Sequence, residues 1–381
     1  MTSAPDPDRT ALRLAERLIQ LLDRGGFTAT YKYAVLVALM DLCMELTGAT
    51  GLPPDSITTW QLAEKVIELY WPQCAPYDEK GVVLRQNASK YGKDAEKRDT
   101  QAEIVRHIVE FREGANANPA ASLPLTRARS AAPVAYEKLA RLVEWKLIEM
   151  PLPRLQLIGQ EEDRFLYEYA FTKDIKKSVV SAYQQGNSQA FNNSLLLRPG
   201  VSAALVALNG VLRPLIYRNW TLMVASVNGL EESRLEDFLF GADRVSLAHV
   251  RPHLHELQGG LCFYCRKDMP TTCQIDHFVP WSRHADNSID NLVAAHDNCN
   301  GRKSDFLPAA EHVERWSERS ARHAAALAQI AQRETWESRP DRTFGVARSI
   351  YRMLPDDARL WRSGQEFVVI ERPRIVAALA A

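Results

Sequence analysis

Apolar positions along this chain recur mostly at helical spacing. Leu12, Ala15, Ile19 and Leu22 stand three to four residues apart, which predicts one face of an amphipathic helix over 11–23. A more apolar stretch predicts a second helix over 31–46, ended by Gly48 and the turn of residues 51–54. Residues 57–71 predict a third, with hydroxyl residues ahead of it as caps and Pro72 behind it. A charged helix is expected over 94–113, and residues 114–124 (GANANPAASLP) read as a linker or surface loop.

The pattern then changes. A helix over 134–146 is followed by two short runs rich in β-formers, 154–158 and 165–171, with turn-like residues 159–163 between them. A helix followed by a hairpin reads either as plain α+β packing or as a winged-helix-like module able to touch DNA. Residues 200–258 return to helical spacing, with apolar runs at 203–208 and 222–227, and form a collar leading into the next segment. Beyond residue 305 a long Glu/Arg/Ala-rich helix is expected over 309–336, then a short helix near 344–353 and a closing strand pair near Leu360 and 367–370. On the long helix Glu311/Arg315 and Glu318/Arg322 stand four apart with the glutamate first, the spacing of surface ion pairs. Arg315, Arg319 and Arg322 also offer an arginine rail for a phosphate backbone.

At 381 residues the chain exceeds one typical domain. Its 47 basic and 47 acidic residues cancel, so it has no general attraction for a polyanion, and nucleic-acid binding would need a local groove. Residues 1–9 lack the charged-then-apolar order of a signal peptide, and the longest apolar stretches, such as 33–40, are far shorter than a membrane span. A cytoplasmic protein with no membrane partner is expected. Six cysteines do not suggest a disulfide scaffold, but four of them lie between 262 and 299, and eight of the nine histidines lie between 249 and 323. Metal-ligating residue types are concentrated in one stretch.

Within it, Cys262-x-x-Cys265 is followed after 30 intervening residues by His296-x-x-Cys299. A pair two residues apart can present both side chains to one ion from a tight turn, and two such pairs complete a closed tetrahedral site of three thiolates and one imidazole, suited to structural zinc. Cys273 lacks a partner at this spacing, and Cys43 and Cys74 read as core. The segment between the pairs carries Gln274–Pro280 (QIDHFVP), a short buried strand ended by the proline, with Asp276 and His277 at its end. Ser288–Ala295 (SIDNLVAA) supplies a turn and a second strand, and Asn300-Gly301-Arg302-Lys303 opens a helix after the last cysteine.

This interleaving of knuckles and motif letters over about 45 residues resembles the HNH endonuclease family with its ββα-metal fold, in its zinc-knuckle-bearing form. Ser288–Asn291 and Asn300–Lys303 also resemble the HNH domain of RNA-guided CRISPR nucleases. The resemblance implies that His277 is the general base that deprotonates water and that Asn291 holds its imidazole. It implies that Asp276 and Asn300 ligate one divalent cation, Mg2+ or Mn2+, and that Lys303 contacts the phosphate. It further implies double-stranded DNA as substrate, 5′-phosphate and 3′-hydroxyl products, and a setting such as bacterial restriction or anti-phage defence. RNA stays open as a substrate, as do a protein partner and homo-oligomerisation.

The expected architecture is α+β: a mainly helical N-terminal region, a small ββα-metal domain with structural zinc, and a helical C-terminal tail. The expected divisions are 1–115, 116–258, 259–310 and 311–381. Arg283 and His284, after the first strand, could grip a phosphate or simply sit in a solvated loop, while Trp281 and Trp316 read as packing residues. A rival reading is a zinc-ribbon nucleic-acid-binding or scaffold protein whose HNH site is inactive; it predicts a lost catalytic letter, and only the Asn300 variant of the third letter departs from the motif. The residues before the knuckles contain no Gly-x4-Gly-Lys-Ser/Thr phosphate loop, so no ATP motor is expected.

Overall fold

Tyr31–Glu45 forms a helix that is apolar almost all round, and such a helix is stable only when enclosed by protein. In the computed structural model, which describes residues 7–88, 101–115, 124–172, 174–232, 235–241 and 246–380, it is buried along nearly its whole length. The chain is α+β, with small antiparallel sheets among many helices. It divides into two compact units: Met1–Leu42 with Pro54–Arg244, and Cys43–Pro53 with Val245–Ala381. Among the described residues no helix is long and apolar enough to cross a membrane.

In the first unit, helix Pro7–Arg24 forms where expected but buries a different face. Leu14, Leu18 and Leu21 are enclosed, while Leu12 and Ile19 are 63% and 54% exposed. Both rows have helical spacing, and only the surface against which the helix packs chooses between them. Residues 56–58 are a strand, so the third predicted helix starts late, at Thr59–Tyr70. Thr58 caps it: Gln61 N donates to Thr58 Oγ1 at 3.1 Å, and Thr58 N donates to Gln61 Oε1 at 2.8 Å. The charged helix is Glu103–Ala115; residues 94–100 of that expectation, and 116–123 of the linker, lie outside the described residues.

The expected hairpin of 154–158 with 165–171 does not form. Pro151–Leu155 is a short helix, Leu157–Ile158 pairs with Glu161–Glu162, and Tyr167–Tyr169 pairs with Ser194–Leu197, which in turn pairs with Ser56–Thr58. The central strand wins because Leu195 lies opposite both Ile57 and Tyr169, giving a continuous buried face across three strands. No local signal marks a partner so distant in sequence.

The second unit holds helix Arg251–Leu257, the antiparallel strands Gln274–His277 and Leu292–Ala295, and helix Asp297–Lys303. The long helix expected over 309–336 is broken at His323 into Ala310–Arg322 and Ala324–Glu334. Helix Pro340–Met353, the strand pair Arg359–Ser363 and Glu366–Val369, and a further helix, Arg372–Ala380, follow. That last helix lies beyond the expected elements, although Ile375 and Leu379 bury at a spacing of four. Trp316 is the centre of this core, stacked between Phe278 at 4.5 Å and Phe344 at 4.4 Å. Gly345 lets helix Pro340–Met353 approach residues 44–45 closely, since a Cβ there would collide with the Glu45 carbonyl.

Candidate active site and metal centre

Residues 260–269 form a tight hairpin in which Cys262 N donates to Lys267 O at 3.0 Å and Arg266 N donates to Cys262 O at 3.0 Å. Arg266 takes a left-handed conformation (φ 62°), which turns the chain so that Cys262 and Cys265 face the same side. His296 stands at the N-cap of helix Asp297–Lys303, and Cys299 lies in its first turn. The helix therefore starts before the last cysteine rather than after it. The ligand atoms of Cys262, Cys265, His296 and Cys299 all lie within 4.8 Å of one another, and this cluster could hold zinc.

The second contacts of the cluster agree with that use. His296 Nε2 donates to Asp268 O at 3.0 Å, which leaves Nδ1 facing Cys265 Sγ at 3.3 Å. Burial first, then the neighbouring Cys262 and Cys265, push the Cys299 thiol up to about 12. Hydrogen bonds from its neighbours lower the Cys265 thiol instead, and a zinc ion would displace the proton that Cys299 holds. Cys273 is buried but outside the cluster, and Cys43 and Cys74 are core residues, as expected.

Between the knuckles the two strands pair Asp276 with Val293 and His277 with Leu292. Asp276 is almost fully enclosed. Tyr264 Oη donates to its Oδ2 at 2.5 Å, and Lys303 Nζ lies 3.1 Å from Oδ2 and 3.3 Å from Oδ1. Burial, with Asp276 adding to it, holds the Tyr264 hydroxyl well above its ordinary pKa, so it remains a donor. Lys303 has no exposed surface and also donates to His277 O at 2.8 Å and Ser304 O at 3.3 Å. Burial lowers its pKa, and Asp276 works against that effect. The ammonium thus points inward as the counter-charge of Asp276, not outward toward a phosphate.

His277 ends its strand half-exposed. Its Nε2 lies 2.8 Å from Asn287 Oδ1, and the ring sits 5.3 Å from that of Trp281. An amide oxygen only accepts, so Nε2 carries the hydrogen and Nδ1 is left with its lone pair. Asn291 makes its hydrogen bonds elsewhere. Its Oδ1 accepts from Val279 N at 2.8 Å, and its Nδ2 donates to Val279 O and Asp286 O, both at 3.1 Å. It is fully buried and ties both ends of the loop that carries His277 and Asn287. The contact expected of Asn291 is made by Asn287, which no motif letter marks. Asn300 is half-exposed on helix Asp297–Lys303, one turn ahead of Lys303.

The surrounding helices brace this loop. Trp336 Nε1 donates to Asn287 O at 2.7 Å, and Asp290 Oδ2 accepts from Ser288 Oγ, Ser338 Oγ and Arg339 N. Arg319 is buried and donates to Leu292 O at 2.6 Å and Asp290 O at 2.8 Å; Arg315 donates to Phe263 O and Tyr264 O. Glu311 and Glu314 pair with Arg362 and Arg374 rather than along their own helix. These arginines hold carbonyls in place, which corrects the surface-pair expectation for Arg315 and the rail expectation for Arg315 and Arg319. His284 is buried with its Nε2 3.1 Å from Glu45, so it does not face a phosphate, whereas Arg283 is exposed.

A family model described as HNH endonuclease matches residues 262–309, a span that contains the whole metal cluster, Asp276, His277, Asn287, Asn291, Asn300 and Lys303. A second model, described as a domain of unknown function (DUF8808), matches residues 11–239, more than half of the chain. No curated protein matches the chain. The HNH domain implies binding of nucleic acid.

Proposed function

We propose that this chain, which belongs to the DUF8808 family and carries an HNH endonuclease domain, is a metal-dependent endonuclease that hydrolyses phosphodiester bonds of double-stranded DNA. The observation that carries the reading is the half-exposed His277 imidazole, with Nε2 committed to Asn287, on the strand that also carries Asp276. Nδ1, left with its lone pair, is the general base for an attacking water. Asn287 fixes the tautomer, and Asn291 holds the loop that presents both residues.

Asp276 and Asn300 would hold a single divalent cation, Mg2+ or Mn2+, through hard oxygen ligands. Such a cation, when bound, stabilises charge on the phosphate and the leaving oxygen. The carboxylate is suited to ligation because Tyr264 and Lys303 fix its orientation, yet a carboxylate has about four lone-pair sites and Oδ1 keeps one of its own. Lys303 acts by orienting Asp276 and the His277 carbonyl rather than by touching substrate. Cleavage would leave 5′-phosphate and 3′-hydroxyl ends.

Duplex DNA is also supported by the first unit. There Ser194–Leu197 lies between Ser56–Thr58 and Tyr167–Tyr169, and five described α-helices, Thr59–Tyr70 and Pro133–Glu149 among them, separate the first and second of these strands in sequence. Winged-helix modules use this strand order, and we read the unit as a DNA-contacting domain of that kind. A nuclease coupled to such a domain suits restriction or anti-phage defence. Plasmid cleavage with Mg2+ or Mn2+, comparing the natural chain with His277→Ala, tests the activity. Equal cleavage by both, or none by either on any nucleic acid, would leave a zinc-clasped binding or scaffold protein instead.

A further inference from the structure

The first unit contains a cavity of about 270 Å³ lined by Arg24, Gly25, Gly26, Thr28, Tyr31, Lys32, Met150, Arg154 and Leu157 among others. Three of the lining side chains are cationic, and no aspartate or glutamate is among the described residues that line it. Lys32 is half-buried; its Nζ donates to Gly25 O and lies 5.4 Å from the centre of the Phe27 ring. Arg154 donates to Met150 Sδ. Neither cation forms an ion pair with a described carboxylate, whereas Arg24 pairs with its neighbour Asp23 at 3.4 Å.

That arrangement favours an anion. A partly desolvated ammonium beside a guanidinium is repelled by it and loses hydration, and an intervening anion reverses both effects. The chain as a whole carries equal numbers of acidic and basic residues, so an acid-free concave patch with three cations is a local feature rather than an overall bias. Besides Thr28, the walls include Met150, Pro151, Leu157 and Tyr31, whose hydroxyl is occupied as the acceptor of Ile104 N at 3.1 Å. A planar guanidinium and a point-charge ammonium lining one cavity with apolar side chains suit a phosphate group attached to an organic body.

We propose that this cavity binds a phosphate ester, with Lys32 and Arg154 as its principal ligands and Arg24 at the rim. The phosphate is supplied either by a free nucleotide or by a nucleic-acid backbone. The site is separate from the nuclease chemistry and does not depend on it. Burial first and Arg154 second depress Lys32 to about 8; the other titratable lining residues are Arg24 and Tyr31, whose hydroxyl burial pushes up to about 12. A bound phosphate would raise Lys32 again, so binding above pH 8 takes up protons.

Calorimetric titration of the full chain with pyrophosphate, with AMP and with a short DNA duplex tests the proposal, using Lys32→Gln and the exposed Arg154→Gln alongside the natural chain. Saturable binding of at least one probe is expected, weakened about tenfold or more by each substitution. Proton uptake at pH 8.5 should be present in the natural chain and lost in Lys32→Gln. Tight binding of AMP assigns the phosphate to a free nucleotide, and binding of the duplex alone, lost in Arg154→Gln, assigns it to the backbone. No saturable binding of any probe, or binding unchanged by both substitutions in chains with natural thermal unfolding, would overturn it.

Discussion

Replacing Asn287 with alanine removes the oxygen that lies 2.8 Å from His277 Nε2 while leaving the imidazole itself in place. The Asn287 main chain stays held, because Trp336 Nε1 bonds to its carbonyl rather than to its side chain. The lost bond is one that strengthens as the ring takes up a proton, and hydrogen bonds to charged groups contribute about 1.5–3 kcal/mol. If that contribution appears only in the transition state, kcat falls about 10- to 150-fold. Both residues are half-exposed, so water can replace part of the contact, and a loss near tenfold is expected. Single-turnover cleavage of a plasmid at saturating Mg2+ reads kcat directly. DNA affinity measured without metal should not change. Asn287→Asp keeps an acceptor but adds a charge that favours the protonated ring; since the base must be unprotonated to act, the acid limb of the pH–rate profile should move to higher pH. A rate within twofold of the natural chain for Asn287→Ala, with an unmoved limb in Asn287→Asp, would refute the assignment even if His277→Ala is inactive.

Further outcomes follow from the same geometry. His277→Ala should lower cleavage by about 10²- to 10⁴-fold, the usual contribution of a general base, with zinc content and unfolding temperature unchanged. Elemental analysis should find one zinc per chain, lost in Cys299→Ser. Because the Cys299 thiol is pushed up to about 12, zinc must displace its proton, so affinity measured by chelator competition should fall as pH is lowered. Lys303→Met leaves Asp276 buried without its counter-charge and should destabilise the second unit by about 3–5 kcal/mol, seen in thermal unfolding; a neutral effect would mean that the ammonium is dispensable. Arg319→Met removes two hydrogen bonds to the strand carbonyls of Asp290 and Leu292 and should destabilise the same unit by about 2–4 kcal/mol.

The features legible in the chain itself were those whose parts lie close together in sequence. A cysteine pair two residues apart needs only a turn to present both sulfurs, and His296 and Cys299 need only one helical turn, so their convergence followed from spacing. Asp276 and His277 were readable for the same reason: both belong to one short strand ended by Pro280. Helix positions along the first unit were also readable, since a 3.6-residue period is a local property.

Tertiary structure decided whatever depends on a partner far along the chain. Helix Pro7–Arg24 has two apolar rows of similar quality, and packing buried Leu14, Leu18 and Leu21 rather than Leu12 and Ile19. Strand Tyr167–Tyr169 chose Ser194–Leu197 over its nearer neighbour, because a β-strand satisfies its backbone with any edge of matching register and buried face. In the candidate site the contacts differ from those the motif implied: Asn287 reaches the imidazole, Asn291 ties the loop, and Lys303 turns inward to Asp276. A side chain's hydrogen-bond partner is set by where the backbone of distant segments comes to rest, here helices Ala310–Arg322 and Pro340–Met353 with the residues between them. Spacing along the chain carries the identity of a ligand or base; the direction in which that group points is a property of the packed core.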